Sequence, residues 1–170
     1  MRPRLRVGRT GSAAFGPLCA VGREYGPSVI SREYVLERSA VGGDRYPLLT
    51  VREFFDGNDV EESIAPNQCG YGRPNLAEIA RRLDLLAADP AVAWVRVQLH
   101  EEMFEDFYQG LAAEAVAICT TLAEEEVDTR LDVESLQAEP VWEGLVYDAA
   151  DFCDVPPVPD GYRVLSVVWD

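Results

Sequence analysis

Apolar residues recur at helical spacing in the segment that follows Asn75. The residues that share one face of such a helix are Leu76, Ile79, Ala80, Leu83 and Leu86. Asn75 and Glu78 form an N-capping pattern, and Asp89-Pro90 ends the segment because proline does not continue a helix. The pattern therefore predicts an amphipathic helix whose apolar face contributes to a core.

Three later segments have the pattern of β-strands. Residues 92–99 alternate between apolar and polar positions, which predicts a strand with one well-buried face. Residues 114–120 are mostly apolar and predict a second, buried strand. Residues 162–169 predict a terminal strand that is apolar on both faces, as expected for an internal strand.

Residues with oxygen-bearing side chains, three positions apart, mark the starts of two more helices. Thr50 and Glu53 form a capping box before a short helix that contains two phenylalanines. Thr121 and Glu124 form another before an acidic helix. Residues 27–38 have only a weak strand pattern. The order helix, strand, strand, helix, strand predicts an α+β or α/β fold, with a small sheet of about three to five strands on two or three helices. The strand order does not follow from the sequence.

Charge is distributed unevenly along the 170 residues, whose net charge is -15. Residues 1–52 contain nine arginines and four acids, whereas residues 53–170 contain six arginines and 26 acids. This division predicts a basic N-terminal arm over residues 1–45, poorly ordered or weakly attached, and a single acidic globular domain over residues 46–170. A targeting segment is the alternative for the first 23 residues, but glycine, serine and proline interrupt its apolar part.

Composition excludes several classes of site. All 15 cations are arginines and the one histidine is His100, so P-loop, pyridoxal-phosphate and protein-kinase sites, which need a lysine, are excluded. The negative charge argues against binding to nucleic acid or to anionic membranes. No apolar run reaches the ~20 residues of a membrane span. The four cysteines form no Cys-x-x-Cys pair; we expect them to be reduced, which favours a cytoplasmic location.

Residues 47–58 contain the motif Phe-Phe-Asp-Gly-Asn and are followed by Ser63, Ile64 and Asn67. This segment resembles one in a family of small uncharacterised bacterial proteins, in which Phe-Phe-x-Gly-Asn precedes a Ser-Ile pair and a helix–strand unit. The resemblance covers residues 47–131. It brings no known chemistry, but some such proteins resemble immunity or antitoxin partners, which implies a binding role by analogy.

Few residues offer catalytic or metal chemistry. His100 and Glu102 give the His-x-Glu half of a zinc-deaminase signature, but the Pro-Cys-x-x-Cys half is absent. The acids that begin at Asp56 do not match the spacing of a calcium-binding loop, because Val60 and Glu61 occupy the positions of a ligand and of the required glycine. We therefore predict no metal site and no cofactor.

We hypothesise a non-enzymatic acidic protein that binds a basic protein partner, as an immunity protein or antitoxin does. The predicted binding residues are Glu101, Glu102, Glu105, Asp106, Glu124, Glu125 and Asp128. The alternative is a small hydrolase-type enzyme that uses His100 and Glu102, alone or with a metal ion. A purely structural subunit is a third option, and the oligomeric state stays open.

Overall fold

The computed structural model describes residues 30–105 and 110–169, and this part of the chain contains five α-helices, four short 3₁₀ helices and seven β-strands. The helices are α1 (Arg32–Val41), α2 (Val51–Phe55), α3 (Leu76–Ala87), α4 (Glu124–Leu131) and α5 (Val133–Leu136). The strands are β1 (Tyr46–Pro47), β2 (Leu49–Thr50), β3 (Val92–Leu99), β4 (Ala113–Thr120), β5 (Trp142–Glu143), β6 (Phe152–Cys153) and β7 (Arg163–Val168). The predicted α+β class is confirmed. Within these ranges no helix combines the length and apolarity needed to cross a membrane.

Five strands form one antiparallel sheet in the order β2-β3-β4-β7-β5, and β1 pairs with β6 in parallel. The long strands β3 and β4 form its central hairpin. Leu99 at the end of β3 lies opposite Ala113 at the start of β4, and Val92 lies opposite Thr120. β7 lies between β4 and the two-residue β5, so the predicted internal position of the terminal strand is confirmed.

Both faces of the sheet are covered, whereas the alternation in β3 predicts one well-buried face. One face packs on the helices, and the segment between β5 and β7 covers the other. The Trp94 indole N–H donates to the carbonyl of Pro157 at 3.0 Å. Gln98 is fully buried because its amide donates to the Ser166 hydroxyl and accepts from the backbone N–H of Val146. Polar residues on this face are therefore buried with partners.

Two predicted helix starts are confirmed and one is wrong. Thr50 caps α2 in a reciprocal capping box with Glu53, and Asn75 caps α3. The acidic helix starts later than predicted, because the Thr120 hydroxyl accepts from the backbone N–H of Leu122 and stabilises a turn there. Its N-terminal carboxylate contact is instead that of Glu126, which accepts from the N–H of Ala123.

The helix α1 lies where the sequence predicts a strand within residues 27–38, so that prediction is wrong. The Ser31 hydroxyl caps the helix by accepting from the N–H of Tyr34. Val35 is fully buried in the main core, and Arg38 forms ion pairs with both Glu53 and Asp154. Residues 30–45, which the sequence analysis assigns to the arm, therefore contribute to the core; the rest of the predicted arm, residues 1–29, lies outside the described residues.

The Phe-Phe-Asp-Gly-Asn segment has a packing role. The rings of Phe54 and Phe55 lie 5.0 Å apart and both are buried. Gly57 has a φ of +75°, which suits glycine at the end of α2. The Asn58 amide then donates to the buried hydroxyl of Ser63 at 2.9 Å. These contacts fix the following loop against the sheet.

The same loop reaches the start of β4. Ile64 forms a parallel bridge with Ala113 and is fully buried. Three residues before Ile64, the Glu61 carboxylate pairs with the buried Arg73 and accepts from the N–H of Leu76 at the start of α3. The loop thereby holds residues 66 and 67 beside the end of the β3–β4 hairpin, where they line the pocket described below.

Candidate functional site

The predicted acidic binding residues fall into two separate groups. Residues 101–105 follow β3 at one end of the central hairpin, whereas residues 124–128 follow β4 at the other end. At about 3.3 Å per residue, the seven steps from Val92 to Leu99 span roughly 23 Å. The structure therefore brings Glu101, Glu102 and Glu105 together, but not with Glu124, Glu125 and Asp128; Asp106 lies outside the described residues.

Four aromatic rings meet at the first of these two ends. The ring centroid of Tyr46 lies 4.8 Å from that of Phe104, 5.3 Å from that of Tyr147 and 6.1 Å from that of Phe152. Phe152 is buried, and the other three are partly exposed. The pairing of β1 with β6 places Tyr46 opposite Phe152, and the 3₁₀ turn after β3 supplies Phe104.

Carboxylates surround this aromatic cluster. Burial raises the pKa of Tyr46, and the negative charges of Glu101, Asp151, Glu105 and Glu114 raise it further. We call the four rings and these four carboxylates the aromatic–acidic surface. Its acids come from three separate parts of the chain: the turn after β3, the start of β4 and the turn before β6.

Two arginines border the surface, and both donate to backbone carbonyls. Arg32 donates to the carbonyls of Met103 and Glu105, each at 2.9 Å. Arg45 donates to the carbonyls of Gly42 and Phe152. Among the ion pairs of the described ranges, none involves the carboxylates of Glu101, Glu105 or Asp151. Arg32 and Arg45 therefore bind the backbone and form no ion pair with these three acids.

Glu114 connects the surface to His100. The Tyr147 hydroxyl donates to Glu114 Oε1 and accepts from the backbone N–H of Glu101. Burial and the bond to Glu114 raise the pKa of Tyr147. Glu114 Oε2 lies 3.9 Å from His100 Nε2, which is too long for a hydrogen bond.

The position of the proton on the His100 ring follows from its other nitrogen. The backbone N–H of Glu102 donates to His100 Nδ1 at 3.1 Å. Because Nδ1 accepts, the proton of the neutral ring is on Nε2, the nitrogen that faces Glu114. His100 in this arrangement is a hydrogen-bond donor and not a base at Nε2.

A pocket of about 370 Å³ opens beside these groups. It is lined by Pro66, Asn67, His100, Glu102, Ala112, Ala113, Glu114, Val168 and Trp169. The Trp169 ring is held by a bond from its indole N–H to the carbonyl of Leu136. The pocket therefore combines two carboxylates and a histidine with apolar walls.

Glu114 and Tyr147 are site residues that the sequence patterns do not predict. Glu114 could have been identified in the sequence, because it is a charged residue in the otherwise uncharged strand β4. No local pattern identifies Tyr147, since it lies in an irregular segment whose position depends on how residues 144–162 cover the sheet. Neither residue could be connected to His100 without the pairing of β4 with β3.

The acids of the second group have a local structural role. Glu124, Glu125 and Glu126 occupy the first turn of α4, where the helix dipole favours negative charge. Asp128 lies one turn further along the same helix. No aromatic ring pair of the described chain involves α4.

Other candidate chemistry is limited. The part of the chain that the structure describes contains no cluster of three or more His, Cys, Asp or Glu side chains that could hold a metal ion. Cys69, Cys119 and Cys153 are free thiols, and Cys19 lies outside the described ranges. Burial raises the pKa values of Cys119 and Cys153, so neither is an activated nucleophile.

A family model matches residues 30–167, which is most of the chain. The chain belongs to the uncharacterized protein YfbO family. The match begins upstream of Pro47, where the resemblance noted in the sequence begins, and it includes α1. Membership in the YfbO family confirms the expectation of an uncharacterised family and assigns no activity. Neither the search of curated proteins nor that of solved structures finds a match.

Proposed function

We propose that this protein binds a basic protein partner through the aromatic–acidic surface, as an immunity protein or antitoxin does. The observation that supports this function is the position of Glu101, Glu105 and Asp151 around partly exposed aromatic rings, where no arginine of residues 30–105 and 110–169 forms an ion pair with them. The strongly negative chain adds long-range attraction for a cationic partner.

Rings and carboxylates together suit lysine and arginine side chains better than either group alone. A cation above an aromatic face gains about 0.5–1 kcal/mol at an exposed site and more where water is excluded. Neighbouring carboxylates add Coulomb attraction that speeds association and weakens as salt rises. The partner's basic segment would therefore lie over Tyr46, Phe104 and Tyr147.

The acids of α4 are not part of this proposed surface. They lie at the opposite end of the hairpin, and their charge is favourable to the helix itself. They provide a matched control, because neutralising two of them changes the net charge of the protein by the same amount.

The test compares two double variants in binding to a fluorescent, arginine-rich peptide. Glu101→Gln with Glu105→Gln removes two charges from the aromatic–acidic surface, and Glu124→Gln with Glu125→Gln removes two from α4. We expect the first pair to weaken binding by roughly three- to tenfold and to reduce its salt dependence. The second pair should have little effect. Equal losses in both variants would mean that only total charge matters, which would refute the proposed surface.

An enzyme is the second candidate, and the pocket beside His100 favours it. His100 Nε2 could donate a hydrogen bond to the oxygen on which negative charge develops, while Glu102 or Glu114 could take a proton from an attacking water. The roles follow the tautomer: His100 would stabilise the developing charge and a carboxylate would be the base.

Activated esters test this second candidate. p-Nitrophenyl acetate and p-nitrophenyl phosphate would be incubated with the wild type and with His100→Ala. Hydrolysis that disappears in the variant would support the enzyme. Equal rates in the two proteins would exclude a role for His100, because no other histidine is present to replace it.

A further inference from the structure

The pocket beside His100 has two kinds of wall. Glu114 and Glu102 provide carboxylates, while Ala112, Val168 and Trp169 provide apolar surface. Its volume of about 370 Å³ is in the range of pockets that hold small ligands. Such a pocket suits a ligand with an apolar stem and a positively charged end.

Glu114 is the group placed to meet that charge. The Tyr147 hydroxyl fixes Oε1, and Oε2 points toward His100 at the pocket wall. An ionised carboxylate has about four acceptor positions, so accepting from Tyr147 does not prevent it from accepting from a ligand as well. The carboxylate is therefore oriented before a ligand arrives, which lowers the entropic cost of binding.

The His100 ring is oriented by the backbone and presents one nitrogen to the pocket. Its Nδ1 is engaged by the backbone N–H of Glu102, and Nε2 presents a donor. Among the lining residues that the structure describes there is no arginine. Within that described lining, the charged side chains are those of Glu102 and Glu114.

We propose that this pocket is the anchor site for one arginine side chain of the basic partner, with the guanidinium bound by Glu114 and Glu102 and the stem packed on Ala112, Val168 and Trp169. A guanidinium is favoured over an ammonium because its planar fork can pair with a carboxylate through two bonds and is more weakly hydrated. The site rests on the proposed function, because it names the residue type by which that partner is recognised.

The anchor adds specificity to the aromatic–acidic surface. Glu114 belongs to both, since its charge acts on Tyr46 and its Oε2 faces the pocket. The exposed surface attracts any cationic segment, whereas the pocket accepts one side chain of defined length. A basic partner with an arginine at the correct position would therefore be selected from other polycations.

The test uses single amino-acid probes and NMR. ¹⁵N-labelled protein would be titrated with N-acetyl-arginine amide and with N-acetyl-citrulline amide, which has nearly the same shape but no charge. We expect saturable shifts of the amides of Glu102, Ala113 and Glu114 with the arginine probe, in the millimolar range, and no saturation with the citrulline probe. Equal binding of the two probes, or shifts centred on α4, would overturn the proposal.

Variants of the pocket complete the test. Glu114→Gln should weaken binding of the arginine probe by at least about tenfold, which is the usual result of removing a charged hydrogen-bond partner. Glu102→Gln is an exposed change that leaves the core intact, and it should weaken binding by about threefold. Glu125→Gln is the control and should not change the affinity. Unchanged affinity in a folded Glu102→Gln and a folded Glu114→Gln would refute the site.

The proposed function and the anchor can fail separately. If the arginine probe does not bind but the peptide still distinguishes the two double variants, the anchor is wrong and the aromatic–acidic surface remains. If the probe binds in the pocket but the two double variants lose peptide affinity equally, the pocket remains and the proposed surface is wrong.

Discussion

The two ends of the β3–β4 hairpin have similar acidic residues but use them differently. At the end that carries α4, three consecutive glutamates form the first turn of a helix and meet its dipole. At the other end, Glu101, Glu105 and Asp151 surround aromatic rings and have no ion-pair partner within the described ranges. Acids of the first kind contribute to the fold, whereas those of the second kind add only repulsion unless a cation binds.

The difference shows that net charge alone does not locate a binding surface. Glu124, Glu125 and Glu126 form a conspicuous run of acids in the sequence, but their position is explained by the first turn of α4. The four carboxylates of the aromatic–acidic surface are dispersed between residues 101 and 151 and become neighbours only when the hairpin and the β1–β6 pair form. The acids of α4 and those of the aromatic–acidic surface therefore differ in their surroundings and not in their residue type.

The largest expected difference comes from removing a buried side chain at each end. Phe152→Ala should destabilise the protein by about 3–5 kcal/mol, and Leu131→Ala in α4 by about 2–5 kcal/mol, because both side chains are buried in full or nearly so. Only Phe152→Ala removes support from Tyr46 and Tyr147, so only it should also weaken peptide binding. Urea denaturation gives the stabilities, and affinities are compared at a temperature where circular dichroism shows both variants folded. A Leu131→Ala variant with the greater loss of affinity would contradict the comparison.

Replacing a single acid at each end should change the free energy of unfolding by less, and in opposite directions at the two ends. Glu126→Ala should cost about 0.5–1 kcal/mol, because its carboxylate accepts from the N–H of Ala123 and favours the dipole of α4. Glu101→Gln should be neutral or slightly stabilising, since it relieves repulsion from neighbouring acids. Chemical denaturation of both variants measures the contrast. A loss for Glu101→Gln as large as that for Glu126→Ala would mean that this acid also supports the fold.

Local patterns in the sequence predict most of the main elements, because their causes are local. The capping residues Thr50 and Asn75 and the periodicity after Asn75 each act within a few residues, so they identify α2 and α3 correctly. The capping pattern at Thr121 is misleading because the hydroxyl of Thr120, one position earlier, accepts from the backbone N–H of Leu122. The helix α1 escapes prediction since its apolar face is narrow: Val35 and Ser39 are its buried residues.

Sequence patterns predict less of the candidate site, since its residues are brought together by the pairing of distant segments. His100 could be singled out because it is the one histidine, and Glu101, Glu102 and Glu105 because they follow it. Glu114 and Tyr147 join them only through the β3–β4 register and through the segment that covers the second face of the sheet. The sequence therefore predicts the part of the site that is contiguous in the chain and not the part that completes it.

Alkaline pH should affect the aromatic end selectively. Burial raises the pKa values of Tyr46 and Tyr147 above their ordinary value of about 10. A group whose pKa is raised by folding stabilises the protein below its unfolded pKa and loses that contribution as pH rises through the folded pKa. The free energy of unfolding should therefore fall above about pH 10, and less steeply in Tyr147→Phe. Identical pH profiles for the variant and the wild type would show that folding does not raise the pKa of Tyr147.

The smallest expected effect concerns an acid that already has cationic partners. Hydrogen bonds from Arg81 and Arg82 lower the pKa of Glu78 to about 2. Because folding lowers this pKa, the contribution of Glu78 is present above its ordinary value of 4.5 and is lost as pH falls toward about 2. Glu78→Gln should flatten this part of the acid denaturation profile only slightly, since Glu78 is partly exposed and solvent screens its ion pairs with Arg81 and Arg82. Because Glu78 is already paired, the same variant should leave peptide affinity unchanged, whereas Glu101→Gln lowers it. A Glu78→Gln variant that weakens binding as much as Glu101→Gln would show that a paired acid attracts the peptide as strongly as an unpaired one, and would remove the distinction between the two kinds of acid.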